Sequence, residues 1–239
     1  MNTEAVIIPT KNTPLPHNDK KVLLEAMKYR YATKKFDPAK KISEEDFETL
    51  LEAARLSPTS FGMEPWKILV IQNPEIRKEM IPYGWGAKAG LEGASHFVVF
   101  LANKRKDITF GSPYVDHMLK DIHQVPPEVY DFYSKVYSCF GKEDMKILDS
   151  ERSAFDWTSK QAYIVMANMM TMAAYMGIDS CPLEGYIPDE MTRILGEERK
   201  LFDTDHYGIA VMAAFGYRAE TPHRDKSRKP LSESVEWVK

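Results

Sequence analysis

The chain has 239 residues, 44% hydrophobic and 28% charged, with a formal net charge of −3. That balance supplies apolar mass for a sizeable core, and no basic field of the kind that draws a protein to nucleic acid or an anionic membrane. Two cysteines, Cys139 and Cys181, are too few for a disulfide framework and fit a reducing cytoplasm.

The elements read in chain order as follows. Residues 1–18 are polar and carry Pro9, Pro14 and Pro16, so an extended N-terminal arm is expected, followed by one domain over 19–239. The N-terminus has no basic stretch leading into an apolar run and a cleavage site, so no signal peptide is expected. Helical spacing begins near Asp19 and puts Val22, Leu23, Ala26 and Met27 on one face. A second helix starts at Ser43, an N-cap followed by three acids, with a stripe of Phe47, Leu50, Leu51 and Ala54. Trp66 to Ile71 and Phe97 to Leu101 read as strands covered on both faces. A helix after Pro74 and the glycine-rich segment Gly84 to Gly93 lie between them. Ser112 to Tyr137 reads as helix interrupted at Pro126-Pro127.

Asp156 to Met176 reads as the longest helix, apolar on nearly every side and therefore buried, and Gly177 stops it. Asn168 and Thr171 interrupt its apolar run, which falls short of the roughly 18 residues that a membrane span needs. After a short helix from about Asp189, Ile209 to Phe215 reads as a third buried strand, and Ser234 to Val238 as a candidate edge strand.

Several segments carry chemistry. Arg30 and Lys34 follow the first helix, either as solvated cations near its C-terminus or as a clamp on a phosphate. Lys226 and Arg228 form a second basic pair near the other end. Ser57 to Trp66 joins a helix to a strand; it reads equally as a proline-shaped turn and as a polar loop suited to a flat ring edge. Pro182-Leu183-Glu184-Gly185 reads as a turn that offers a fixed Pro, an acid and a closely approachable Gly backbone. Cations gathered from both ends of a chain suit a phosphate and a delocalised anion, and a flavin mononucleotide (FMN) presents both.

Other motifs fail on spacing. Gly84 to Gly90 is one residue too long for the dinucleotide fingerprint and does not directly follow a strand. The six histidines form no zinc pattern, no G-x-S-x-G elbow occurs, and the methionines from Met166 to Met176 read as packing. No metal and no catalytic side chain is assigned.

In order and spacing, the segments RYATKKFDP, LLEAARLSPTSFGMEPWKILV, ASHFVVF, WTSKQAYIVMANMM, GIDSCPLEG and KSRKPL resemble the FMN-dependent nitroreductase family. The resemblance runs from about residue 20 to the C-terminus. It implies an α+β nitroreductase-like fold, a mostly antiparallel central sheet flanked by helices, in an intertwined homodimer with FMN at the subunit interface. Carried onto matching positions, it implies that Arg30, Tyr31, Ala32 and Lys34 border the phosphate and pyrimidine side, with Lys226 and Arg228 completing the phosphate site. Gln161 is expected near the ribityl chain or ring, and Pro182, Leu183, Glu184 and Gly185 along one face. Pro58, Thr59 and Ser60 are expected from the other subunit.

Three departures stand out. Ala32 replaces a serine, Ala87 and Gly90 replace polar ring contacts with Lys88 as a substitute, and Glu64 stands where Gln is common. The implied activity is reduction of nitroaromatics, quinones or related acceptors by NAD(P)H, with reductant and acceptor using one place in turn, a ping-pong pattern. A dehalogenase, an unsaturated-bond reductase, flavin breakdown or a non-catalytic flavin-binding protein are the alternatives.

Overall fold

Phe97 to Asn103 are buried on both faces of one strand, and the described chain is arranged to cover them. The computed structural model describes residues 20–239, so the expected arm over 1–18 lies outside the described residues. Among these, four strands form one sheet in the order β1-β2-β4-β3, with every neighbouring pair antiparallel. They are β1 (Trp66–Ile71), β2 (His96–Asn103), β3 (Asp179–Leu183) and β4 (Tyr207–Gly216).

Residues alternate across β2 and sort into two cores. Phe97, Val99 and Leu101 join Met80, Leu91, Leu183, Met191 and Met212 on one side. Val98 and Phe100 join Phe47, Leu50, Met166, Met169 and Phe215 on the other. Helices α3 (Pro74–Met80), α4 (Lys88–Gly93) and α9 (Pro188–Thr192) cover the first face. Helices α2 (Glu44–Arg55) and α8 (Glu151–Tyr175) cover the second.

Local chemistry sets the helix ends. The Ser43 hydroxyl accepts from Asp46 N at 3.1 Å to cap α2. Ser150 and Ser153 form a reciprocal capping pair that starts α8 five residues before its expected beginning at Asp156. Gly177, at φ 73°, ends α8 as expected, and Ile178 N donates back to Ala173 O at 2.8 Å. An excursion of α5 (Arg105–Ile108), α6 (Pro113–His117) and α7 (Pro127–Cys139) breaks at the two prolines, as the sequence implied.

Four expectations change. β1 is an edge strand with only Ile71 buried, so its apolar run is not covered on both faces. A strand that the sequence reading lacked, β3, contains Pro182 and Leu183, so the quartet is half strand and half turn. No strand forms over 234–238; a short 3-10 turn, Leu231–Glu233, is the last regular element. Helix α1 (Lys20–Tyr29) buries only Ala26, while Val22, Leu23 and Met27 stay exposed. Among the described residues no helix is long and apolar enough to cross a membrane.

His96 begins β2 with its ring stacked on Phe47, centroids 3.7 Å apart. Burial, with Arg77 and Lys41 nearby, lowers its pKa from 6.5 to about 4. Between those values the unfolded chain binds a proton that the folded protein does not, so stability falls as pH drops from about 6.5 towards 4. Urea unfolding across that range should give a shallower pH slope for His96→Gln than for the unaltered protein. Equal slopes would remove His96 as the source.

Candidate functional site

Asp179 opens β3 with a carboxylate only 1% exposed, and two distant segments, 29–33 and Arg218, converge on it. The Arg218 guanidinium reaches Oδ1 at 2.5 Å, and Arg218 N donates to Oδ2 at 2.8 Å. Thr33 Oγ1 donates to Oδ1 at 3.2 Å, and Tyr29 OH lies 3.4 Å from Oδ2. The guanidinium also sits 4.4 Å from the Tyr29 ring centroid. Thr33 N then donates to Ser180 O at 3.3 Å, and Ala32 pairs with Ser180 as an isolated parallel bridge. Residues 30–34 are thus laid along the outer edge of β3.

That placement brings the two basic pairs together. Arg30, Tyr31, Ala32, Lys34, Lys226 and Arg228 line one open cavity of about 230 Å³. Lys226 Nζ donates to Met27 O at 2.5 Å, in the last turn of α1, where a cation is favoured. Its pKa is lowered by burial and then by Arg30, Arg228 and Arg218. Asp225 also lines the cavity, yet none of Arg30, Lys34, Lys226 and Arg228 has a carboxylate ion-pair partner among the described residues. Such a cluster repels itself until an anion enters.

The quartet lies at the other end of β3. Gly86 N donates to Gly185 O at 2.7 Å, and a Cβ on Gly185 would lie 2.6 Å from Gly86 Cα. Only glycines permit this contact. Tyr163 OH donates to Glu184 Oε1 at 2.6 Å, which ties that acid to α8. Burial and then Glu184 push the Tyr163 hydroxyl up, and the same two causes push Tyr186 up to about 12.

Pro58, Thr59, Ser60 and Gln161 form a different group. Ser60 N donates to Gln161 Oε1 at 2.9 Å, and Gln161 Nε2 donates to Trp157 O at 3.2 Å. Gln161 and Tyr163 are two residues apart, about 200° around the helix, so they serve different sides of α8. Among the described residues no hydrogen bond or ion pair joins this group to the cationic cavity. These are two separate groups of candidate residues.

The departures at 87 and 90 have packing reasons. Ala87 is fully buried, and a Cβ on Gly90 would lie 2.7 Å from the Ala214 side chain. Polar side chains at these positions would have to displace the sheet. Lys88 is exposed with Nζ 3.8 Å from Glu92. Glu64 has a left-handed backbone (φ 43°), and burial raises its carboxyl pKa. Sequence reasoning missed Asp179, Arg218, Tyr163 and Gly86. A lone Asp between a helix stop and a strand has no local signal, and its Arg partner lies 39 residues away.

The model of the nitroreductase family matches residues 27–217. The chain belongs to the nitroreductase family. A Bacillus subtilis (strain 168) protein provisionally named NAD(P)H nitroreductase YfkO is 49% identical over 216 residues, 90% of this chain and 97% of its own. A Staphylococcus aureus (strain USA300) protein with the same provisional activity in its name is 46% identical, covering 92% and 97%. Among solved structures, a provisionally named nitroreductase of Exiguobacterium sibiricum in complex with FMN superposes with TM-score 0.71 at 22% identity, covering 90% and 97%. That likeness shows the shared nitroreductase fold.

In this member of the family, Asp179→Ala strands the partly buried Arg218 and releases Thr33. The expected loss is about 3 kcal/mol, the lower end for breaking a buried pair, since Arg218 is 24% exposed. Chemical denaturation measures it; a loss below about 1 kcal/mol would deny Asp179 this role.

Proposed function

We propose that the protein is an FMN-dependent oxidoreductase that uses NAD(P)H to reduce nitroaromatics, quinones or related acceptors, and that it acts as a homodimer. The observation that carries this reading is the cavity lined by Arg30, Lys34, Arg224, Lys226 and Arg228, five cations without carboxylate partners among the described residues, set along the strand that leads to the Gly86–Gly185 contact. Its donor set fits a phosphate dianion: Arg30 and Arg228 offer planar forks, while Lys226 offers a point charge. Tyr31 and Ala32 line the start of the same cavity.

When bound, FMN supplies a carrier that takes hydride from a nicotinamide and passes electrons to an acceptor. The protein supplies position and charge. Pro182, Leu183, Glu184 and Gly185 present backbone along one edge, and Tyr163 holds the Glu184 carboxylate, which acts as an anchor. Lys34 adds positive charge where electron density rises on reduction. Pro58, Thr59 and Ser60 travel with Gln161, so a second protomer is the source of that half-site.

The exposed face of α1 supports the dimer. Leu23, Met27, Leu56, Met172 and Tyr175 line an apolar groove of about 570 Å³, a surface suited to burial against a second copy. The glycine-rich segment is occupied in packing against the quartet, which favours a nicotinamide that visits without a dedicated domain. Reductant and acceptor then share one place in turn, which is ping-pong kinetics. The free thiols Cys139 and Cys181 fit a cytoplasmic setting.

Purified protein should be yellow and bleach anaerobically with NADH or NADPH. Colourless protein that cannot be reconstituted with FMN would sink the reading. Arg228→Ala should weaken FMN binding at least about tenfold, because a charge-assisted contact contributes about 1.5–3 kcal/mol. Unchanged affinity removes Arg228 from the site. Light scattering should give twice the protomer mass, and initial-rate lines at several acceptor concentrations should be parallel. A monomer that still holds FMN refutes the dimer, and intersecting lines refute ping-pong.

A further inference from the structure

The loop between α2 and β1 carries three left-handed residues within four positions: Phe61 (φ 56°), Gly62 (φ 64°) and Glu64 (φ 43°). Glycine adopts this region freely, whereas Phe and Glu adopt it only where their surroundings hold them there. Part of the holding is internal. Gly62 N donates to Thr59 O at 3.0 Å, and Glu64 N donates to Thr59 Oγ1 at 3.0 Å. Gln161 fixes Ser60 from α8.

The rest comes from the part of the helical excursion that follows Ser112. Tyr114 OH reaches two successive carbonyls, Met63 O at 3.0 Å and Glu64 O at 2.5 Å. His123 Nε2 donates to Gly62 O at 3.0 Å, and its ring lies so close that a Cβ at residue 62 would be 2.7 Å from Cε1. The Phe61 ring stands edge-on to Tyr137 and Phe140, at 5.2 and 4.9 Å. Met63 is fully buried among Val115, Met118, Leu119 and Tyr137. Loop and excursion therefore move as one body, and the two polar tethers act on backbone carbonyls just beyond Thr59 and Ser60.

We infer that Tyr114 and His123 are positioning residues for the cofactor: they clamp residues 61–64 so that Thr59 and Ser60 are presented in one fixed conformation to FMN held by the other protomer. This rests on the FMN-bound homodimer proposed above. Neither residue touches the cofactor; each acts through the loop. The excursion is then a brace for the second half-site.

The test uses the FMN-loaded protein with Tyr114→Phe, which keeps the ring, His123→Ala, and His123→Gln, which keeps a side-chain N–H donor. FMN dissociation is followed by recovery of flavin fluorescence on dilution, and the setting of the bound flavin by visible circular dichroism. Amide hydrogen exchange at Ser60 to Met63 reports the loop itself. Tyr114→Phe and His123→Ala should weaken FMN binding by about threefold or more, alter the flavin dichroism and speed exchange in the loop, with His123→Gln restoring all three towards normal. Faster loop exchange with unchanged FMN affinity and dichroism would overturn the inference, because a purely structural tether moves only the first readout. Should Tyr114→Phe fail to fold, the two His123 variants decide the matter. An unaltered protein that takes up no FMN would overturn the functional reading, and this inference with it, before any variant is made.

Discussion

A single buried carboxylate organises this molecule. Asp179 accepts hydrogen bonds from Tyr29 at the end of α1, from Thr33 just after it and from Arg218 after β4. Alone, a charge at that depth is strongly disfavoured, so the arrangement persists only with its partners complete. Arg218 neutralises it, and in turn stacks on Tyr29. Because β3 is the edge strand of the sheet, its outer side is free to receive residues 30–34. Arg30 and Lys34 of the cavity inherit their positions from that one anchor.

The opposite end of β3 obeys a steric constraint. Gly86 and Gly185 approach until their backbones touch, and Gly90 lets α4 settle on Ala214 of β4. Small residues at 86, 87 and 90 draw the glycine-rich segment tight against the sheet and the quartet. What the chain gives up is polar side chains at 87 and 90. What it gains is a rigid backbone edge, and rigid scaffolding is what a cofactor enzyme supplies. Glu184, an exposed acid in a suggestive place, is held by Tyr163, which makes it a fixed part of that edge.

Legibility in the sequence followed the range of the interactions involved. Long apolar periodicities located α2, α8, β2 and β4, because their burial is written in consecutive residues. The basic residues of the cavity were legible as pairs, since Arg30 with Lys34 and Lys226 with Arg228 each lie within one short segment. β3 was hidden, because Pro182 and a glycine beside it read as a turn, whereas a proline is tolerated on an edge strand. The apolar stripe of α1 was legible, but its exposure was not, since periodicity shows a face and not what covers it. Asp179 with Arg218, and Tyr163 with Glu184, were invisible for a common reason: each pair is made by tertiary structure between residues with no shared local pattern. The link from Ser60 to Gln161, across 101 residues, was hidden for the same reason.

The cationic cavity also says something about the order in which the protein comes into being. Its floor is laid by residues 30–34, and its closing charge, Lys226, bonds Met27 across a separation of 199 residues. Contacts that distant form late, because a long stretch of chain must be ordered before they contribute. During synthesis, then, the sheet and both helical layers have their full complement of residues before the cationic cavity does. The pocket thus joins a segment that follows α1 to one that follows β4.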